Sequence, residues 1–235
     1  MRSQYIELDR FVYSLLDKVK VMEYDQLLYF VMKEYNFECF DDAHSYISGC
    51  QRNCYFITTS DKYVLTKEKY FALTADYEFR KRDRTFNYQM NVSIEGLLSL
   101  EDKRMIDCLW FVVDAYPKSK DFMVCKFPYN IVFTTANTET RLGRVYIITR
   151  ISTNYAKSIL SATQKAFYDE DNAFSSCDVH IAMIDSESVL DMIPSNMFDY
   201  LCILDNSVQR RFKFVEILDD EDEYEEDDED DYEEE

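Results

Sequence analysis

The sequence predicts an α+β protein: a helical amino-terminal unit closed by a β-hairpin, a mixed α/β sheet domain, and an acidic carboxyl-terminal tail. Three observations predict it. Over the first 50 residues apolar side chains recur at three- and four-residue intervals, the period of an amphipathic helix. Near residue 55 the period gives way to β-branched and aromatic runs, and beyond residue 93 helical stretches alternate with short apolar runs. The last 20 residues hold 16 of the chain's 46 acids and no base.

Leu8, Phe11, Val12, Leu15, Leu16 and Val19 mark the inner face of a first helix, and Tyr24, Leu27, Leu28 and Val31 that of a second. A third helix is expected to start with Asp41 as its N-cap and to turn Ala43, Tyr46, Ile47 and Cys50 inward. Tyr55–Thr58 and Lys62–Leu65 then read as the arms of a hairpin around Thr59-Ser60-Asp61. Three short helices and a hairpin are the order of a winged helix-turn-helix, in which the third helix enters the major groove and the hairpin tip lies on the neighbouring backbone.

On that reading the outward face of the third helix supplies Ser45 and Ser48 for phosphate or base contacts, and Gln51 and Arg52 for bidentate contacts to base edges. Lys62, Lys67 and Lys69 cluster around the wing, and Arg80, Lys81, Arg82 and Arg84 follow as a basic arm. Against this, residues 1–90 hold 13 bases and 14 acids, little for a surface that neutralises phosphates. A polar outer face is also what any solvated helix shows, and winged-helix units serve as protein-interaction modules too. His44, near the start of the third helix, reads as packed or solvated and not as a ligand.

The domain organisation expected is a winged helix-turn-helix over 1–75, a linker with the basic cluster over 76–92, an α/β domain with a central sheet over 93–217, and a disordered tail over 218–235. In the second domain, Ile106, Leu109, Trp110 and Val113 share a helix face that ends at Tyr116-Pro117. Strands are expected at Phe122–Cys125, Tyr129–Phe133, Arg144–Ile148, Val179–Ile184, Tyr200–Leu204 and Phe212–Ile217. A helix over Asn154–Tyr168 turns Ile159, Leu160, Thr163, Ala166 and Phe167 inward, and a short helical piece spans Ser186–Met192.

Composition excludes several chemistries. Three glycines, Gly49, Gly96 and Gly143, cannot build a phosphate-binding loop or a dinucleotide fingerprint. Two histidines leave little for a multi-histidine metal site or a histidine-dependent nucleophile; His180 lies mid-strand among apolar residues, and no histidine pair accompanies a candidate nucleophilic tyrosine. Cys50 and Cys54 have no second pair at zinc-site spacing, and seven cysteines without a signal peptide read as reduced intracellular thiols. The longest apolar run, around Leu109–Val113, is too short to span a bilayer, so a cytoplasmic protein without membrane contact is expected.

The order helix, three strands, helix, strand also looks like the core of restriction-endonuclease-type nucleases. Such a site needs an acid at the start of one strand and an acid-x-Lys step on the next to hold a divalent metal. The matching strand offers Thr149-Arg150 and no acid; Glu139 and Arg141 fall in the preceding turn, and Asp114, Asp121 and Asp185 have no lysine two positions on within a strand. No catalytic residue, metal or cofactor is therefore expected.

The tail accounts for most of the formal net charge of −20, leaving −4 on the remaining 215 residues. Like charges and the lack of apolar material keep such a segment from folding alone. It reads as a mimic of nucleic acid that covers the basic wing and arm, as a ligand for a basic partner, or as a solubilising extension.

Helices and hairpin in residues 4–66, joined to an α/β unit, resemble winged-helix proteins of bacterial mobile elements, of the replication-relaxation kind. That resemblance implies a DNA-binding accessory role in plasmid replication or transfer; the net acidity departs from it. A winged helix with an acidic tail is also similar to the delta subunit of Gram-positive RNA polymerase, which leaves residues 93–217 unmatched. The expected function is thus a non-enzymatic DNA-binding accessory or regulatory protein whose partner is duplex DNA and whose tail masks the DNA surface. Its second domain is expected to serve dimerisation or binding of a protein partner. The alternative is a protein–protein interaction module without nucleic-acid binding, and a third reading is a divergent nuclease.

Overall fold

The computed structural model describes residues 5–53, 55–74, 89–90, 93–115, 117–136, 143–168, 177–194, 196–205 and 211–215. The chain opens with helix α1 (Ile6–Val19), strand β1 (Val21–Glu23), helices α2 (Tyr24–Tyr35) and α3 (Phe40–Arg52), and the hairpin β2 (Ile57–Thr59) and β3 (Tyr63–Leu65). All six residues of the predicted α1 face are buried, as are Ala43, Tyr46, Ile47 and Cys50 of α3. The three-residue β1 was not legible; it adds antiparallel to β3, pairing Val21 with Leu65 and Glu23 with Tyr63. Helix α3 is capped by Cys39 and not by Asp41, which stands in its first turn with Asp42. Both carboxylates there favour the positive end of the helix dipole without serving as the cap. Asn36, in the left-handed region at φ 52, ends α2.

Helix α4 (Lys67–Thr74) follows, and strand β4 (Gln89–Met90) lies parallel to β2. The expected linker over 76–92 thus contains a strand of the first sheet; its basic residues Arg80, Lys81, Arg82 and Arg84 lie outside the described residues.

The second unit consists of α5 (Leu100–Ala115), β5 (Phe122–Val124), β6 (Ile131–Ala136), β7 (Gly143–Ile151), α6 (Ala156–Phe167), β8 (Val179–Ile184), β9 (Tyr200–Asp205) and β10 (Arg211–Val215). Its six-stranded sheet runs β10-β9-β8-β7-β6-β5; β7, β8 and β9 are mutually parallel and the other neighbours antiparallel. All six residues of β8 are buried because both sheet faces are covered. Alternation divides them: Ile181 and Met183 join the cluster around α5, whereas Ala182 and Ile184 join Ile159 and Leu160 of α6. Phe167, expected in the inner face of α6, is exposed and meets the His180 ring edge-on. Residues 187–192 form a 3-10 turn.

Helix α5 joins the two units. It buries Met105, Cys108, Leu109, Phe111, Val112 and Val113 in a hydrophobic cluster shared with α1, α2, α3 and the sheet. That is more than the single face its spacing predicts, and Trp110, placed on that face, is only half-buried. Polar clamps cross the same junction: Gln26 Nε2 donates to the Ile106 carbonyl at 2.6 Å, Lys33 Nζ to the Val113 carbonyl at 2.5 Å, and Lys18 Nζ to the Phe122 carbonyl at 2.6 Å. Ser99 and Asp102 cap α5 reciprocally, Ser99 N donating to Asp102 and Asp102 N to Ser99 Oγ, each at 3.1 Å. Among the described residues no helix is long and apolar enough to cross a membrane.

Candidate nucleic-acid interface

Packing leaves one face of α3 open. Its inward stripe is held against α1 and α2, and the Tyr46 hydroxyl donates to Asp9 at 2.7 Å. On the opposite side Asp42, Ser45, Ser48 and Arg52 are exposed. A Cβ built at Gly49 would meet no atom within 4 Å, so this surface is unobstructed at its middle. His44 is half-buried, with Nδ1 2.8 Å from the Tyr24 hydroxyl and the two rings stacked, which fixes α3 against the start of α2.

Gln51 departs from its expected position. Its amide nitrogen donates to Thr58 Oγ1 of β2, so the side chain serves the join between α3 and the hairpin. Lys69 departs further. It lies on α4, and its ammonium bonds both Asp102 oxygens, at 2.7 and 2.8 Å, so its charge is neutralised within the chain. Lys62 stands exposed at the hairpin turn and Lys67 exposed at the start of α4. The structure therefore brings Ser45, Ser48, Arg52, Lys62 and Lys67 to the surface and withdraws Gln51 and Lys69.

The β2–β3 hairpin is firmly held. Lys62 lies in the left-handed region at φ 62, and its carbonyl accepts from Tyr24 N at 2.8 Å, which joins the turn to the start of α2. Asp61 accepts from Ser93 Oγ at 2.9 Å, Ile94 N at 2.7 Å and Glu95 N at 3.0 Å, and also from Thr59 Oγ1. Partial burial pushes the Asp61 carboxyl up, but these hydrogen bonds outweigh it and hold the group below the usual carboxylate range. The sequence places Asp61 in a turn and says no more of it. Its partners Ser93, Ile94 and Glu95 lie more than 30 positions away, and no local pattern announces them.

Between the hairpin tip and α2 lies a cleft of about 170 Å³ lined by Glu23, Tyr24, Asp25, Asp61, Lys62 and Tyr63. Three carboxylates and one ammonium make it a poor seat for phosphate. With Asp41 and Asp42 on the first turn of α3, the described surface is of mixed sign.

A second polar cluster lies under α5. Arg104, 2% exposed, donates to the Arg150 and Pro128 carbonyls, to Asn130 Oδ1 and to Glu101. Arg150 pairs with Asp107 at 2.9 Å and lies 3.8 Å from Asp185. Burial raises the Asp107 carboxyl in spite of that partner. The planar guanidinium fork explains why arginine serves here: it feeds several fixed acceptors at once. Asp185 also accepts from Thr153 N at 3.0 Å and Thr153 Oγ1 at 2.6 Å. Asp121 precedes β5 and Asp185 follows β8, so the two stand at opposite ends of strands running in the same direction. Among the described residues no group of three or more His, Cys, Asp or Glu is arranged to hold a metal ion. Glu139 and Arg141 lie outside the described residues.

Comparison of the chain with protein-family models, with curated proteins and with solved structures finds no match.

Proposed function

We propose that residues 5–65 act as a winged helix-turn-helix that binds duplex DNA, in a non-enzymatic accessory or regulatory protein of the cytoplasm, of the kind carried by mobile elements. The observation that carries the reading is the order α1-β1-α2-α3-β2-β3 with β1 beside β3, together with the unobstructed outer face of α3. Ser45, Ser48 and Arg52 line that face and Lys62 stands at the wing tip. In this reading Arg52 and the serines address the groove and the adjoining backbone, while Lys62 and Lys67 contact phosphates. The acidic segment 216–235 competes with phosphate for the same cations. Selection from a pool of random duplexes tests the reading: the full chain is expected to retain duplex and Arg52→Ala to retain markedly less. Equal retention by the two proteins would contradict it.

A second reading has its own support. Carboxylates of Glu23, Asp25 and Asp61 line the cleft beside Lys62, and Asp41 and Asp42 stand on the first turn of α3; they suit a protein partner with basic side chains. On this alternative the unit is a protein-interaction module, and Asp41→Lys with Asp42→Lys would abolish capture of a single stoichiometric partner while leaving duplex retention at its low baseline.

A further inference from the structure

At the far edge of the large sheet, β5 has β6 as its only strand neighbour among the described residues. Around it the chain exposes an apolar and basic surface within ten consecutive residues. Met123 is 58%, Val124 39% and Phe127 51% exposed, and Lys118, Lys120 and Lys126 are exposed beside them. Among the described residues none of these lysines forms an ion pair, and the one acid in the stretch is Asp121. Among the described residues the outer edge of β5 carries no further strand, and its Phe122 carbonyl is taken by Lys18 Nζ, so what lies open to a partner is the exposed apolar and lysine surface around it. Pairing with the β5 of a second copy would set these lysines against one another, so the charge favours an acidic occupant.

We propose that the acidic carboxyl-terminal segment, residues 216–235, docks on this β5 edge of its own chain. The charges are complementary: 16 acids, with Tyr224 and Tyr232 among them, against three lysines and an apolar surface that can take an aromatic ring. The path is also right. Val215 stands opposite Leu201, Leu201 opposite Ala182, and Ala182 opposite Thr149, one residue beyond Ile148. Ile148 pairs with Ile131, which pairs with Val124. Strand β10 thus ends level with the end of β5 and points toward the end of the sheet where Lys118 and Lys120 lie. Five strand spacings separate β10 from β5, roughly 24 Å, and 20 residues reach up to about 70 Å. Docked there the segment leaves α3 and the hairpin open, and its competition with phosphate for their cations is confined to the undocked fraction of the chain.

Zero-length carbodiimide cross-linking of the full-length chain, mapped by mass spectrometry, tests this without DNA, so its failure is separate from failure of the DNA reading. Most amide links from acids of 216–235 are expected at Lys118, Lys120 and Lys126, within one chain when light and heavy isotope-labelled proteins are mixed. Met123→Asp, which adds a like charge to the docking surface, is expected to lower their yield about twofold or more. Links mainly to Lys62 and Lys67, links mainly between chains, absence of links from the segment, or a yield unchanged in Met123→Asp would each overturn the proposal.

Discussion

Helices α3 and α5 are of similar length, 13 and 16 residues, and have opposite surroundings. Helix α3 buries one stripe and leaves its other side to solvent. Helix α5 is packed by α1 and α2 on one side and the sheet on the other, and even Arg104 is drawn inside. The difference separates two roles. A helix with a free polar face can meet a ligand, whereas one enclosed on both sides fixes the unit that presents that face to the rest of the chain. The binding reading thus lives on α3, and its rigidity on α5.

The largest effect should come from breaking the α5 side of this contrast. Arg104→Ala leaves the Arg150 and Pro128 carbonyls and Asn130 Oδ1 without their donor, and is expected to cost about 3–5 kcal/mol in chemical denaturation. Gln26→Ala removes a buried donor between the two units and should cost roughly 1–3 kcal/mol. Because one hydrophobic cluster crosses the junction, circular dichroism and tyrosine fluorescence should report a single transition in both variants. Two separated transitions would show that the units are independent.

On the α3 side stability and binding should come apart. Arg52→Ala and Lys62→Ala are exposed changes worth at most about 0.5 kcal/mol in stability. Each should weaken duplex binding and lower its salt slope by about one for every phosphate no longer neutralised. Lys62→Ala keeps a side chain at φ 62, so it tests the charge without relieving the backbone. Gly49→Ala has open space for its Cβ and should stabilise α3 by about 0.5–1 kcal/mol in thermal unfolding.

The smallest effect is the pH dependence of the wing. The folded Asp61 carboxyl titrates below its unfolded value, so its contribution is present above the unfolded pKa and is lost as pH falls through the folded one. Asp61→Asn should therefore narrow the stability gap between neutral pH and about pH 3, by about 1 kcal/mol or less. An unchanged gap would remove Asp61 as the tie between the wing and residues 93–95.

How much of this was legible follows from the range of each interaction. The inner faces of α1 and α3 could be read because a 3.6-residue period is written in consecutive residues, Leu8 to Val19 and Ala43 to Cys50. The hairpin could be read because its β-branched and aromatic runs likewise stand in consecutive residues on either side of a turn. Strand β1 could not, since three residues carry no period. Gln51 and Lys69 were expected at the surface on side-chain type alone; their partners Thr58 and Asp102 are set by tertiary contact, the second across 33 positions. Arg104 follows the charged run Glu101-Asp102-Lys103 and reads as solvated, Arg150 ends an apolar strand, and only the enclosed position of α5 makes both structural.

The most direct test of the account is fluorescence anisotropy of random duplex DNA at two salt concentrations, for the full chain and for one ending at Ile217. The account predicts salt-sensitive binding by the full chain, tighter and steeper in salt once the acidic segment is removed, and weakened in both by Arg52→Ala. Binding by neither protein at low salt, with a single protein partner captured instead, would contradict it.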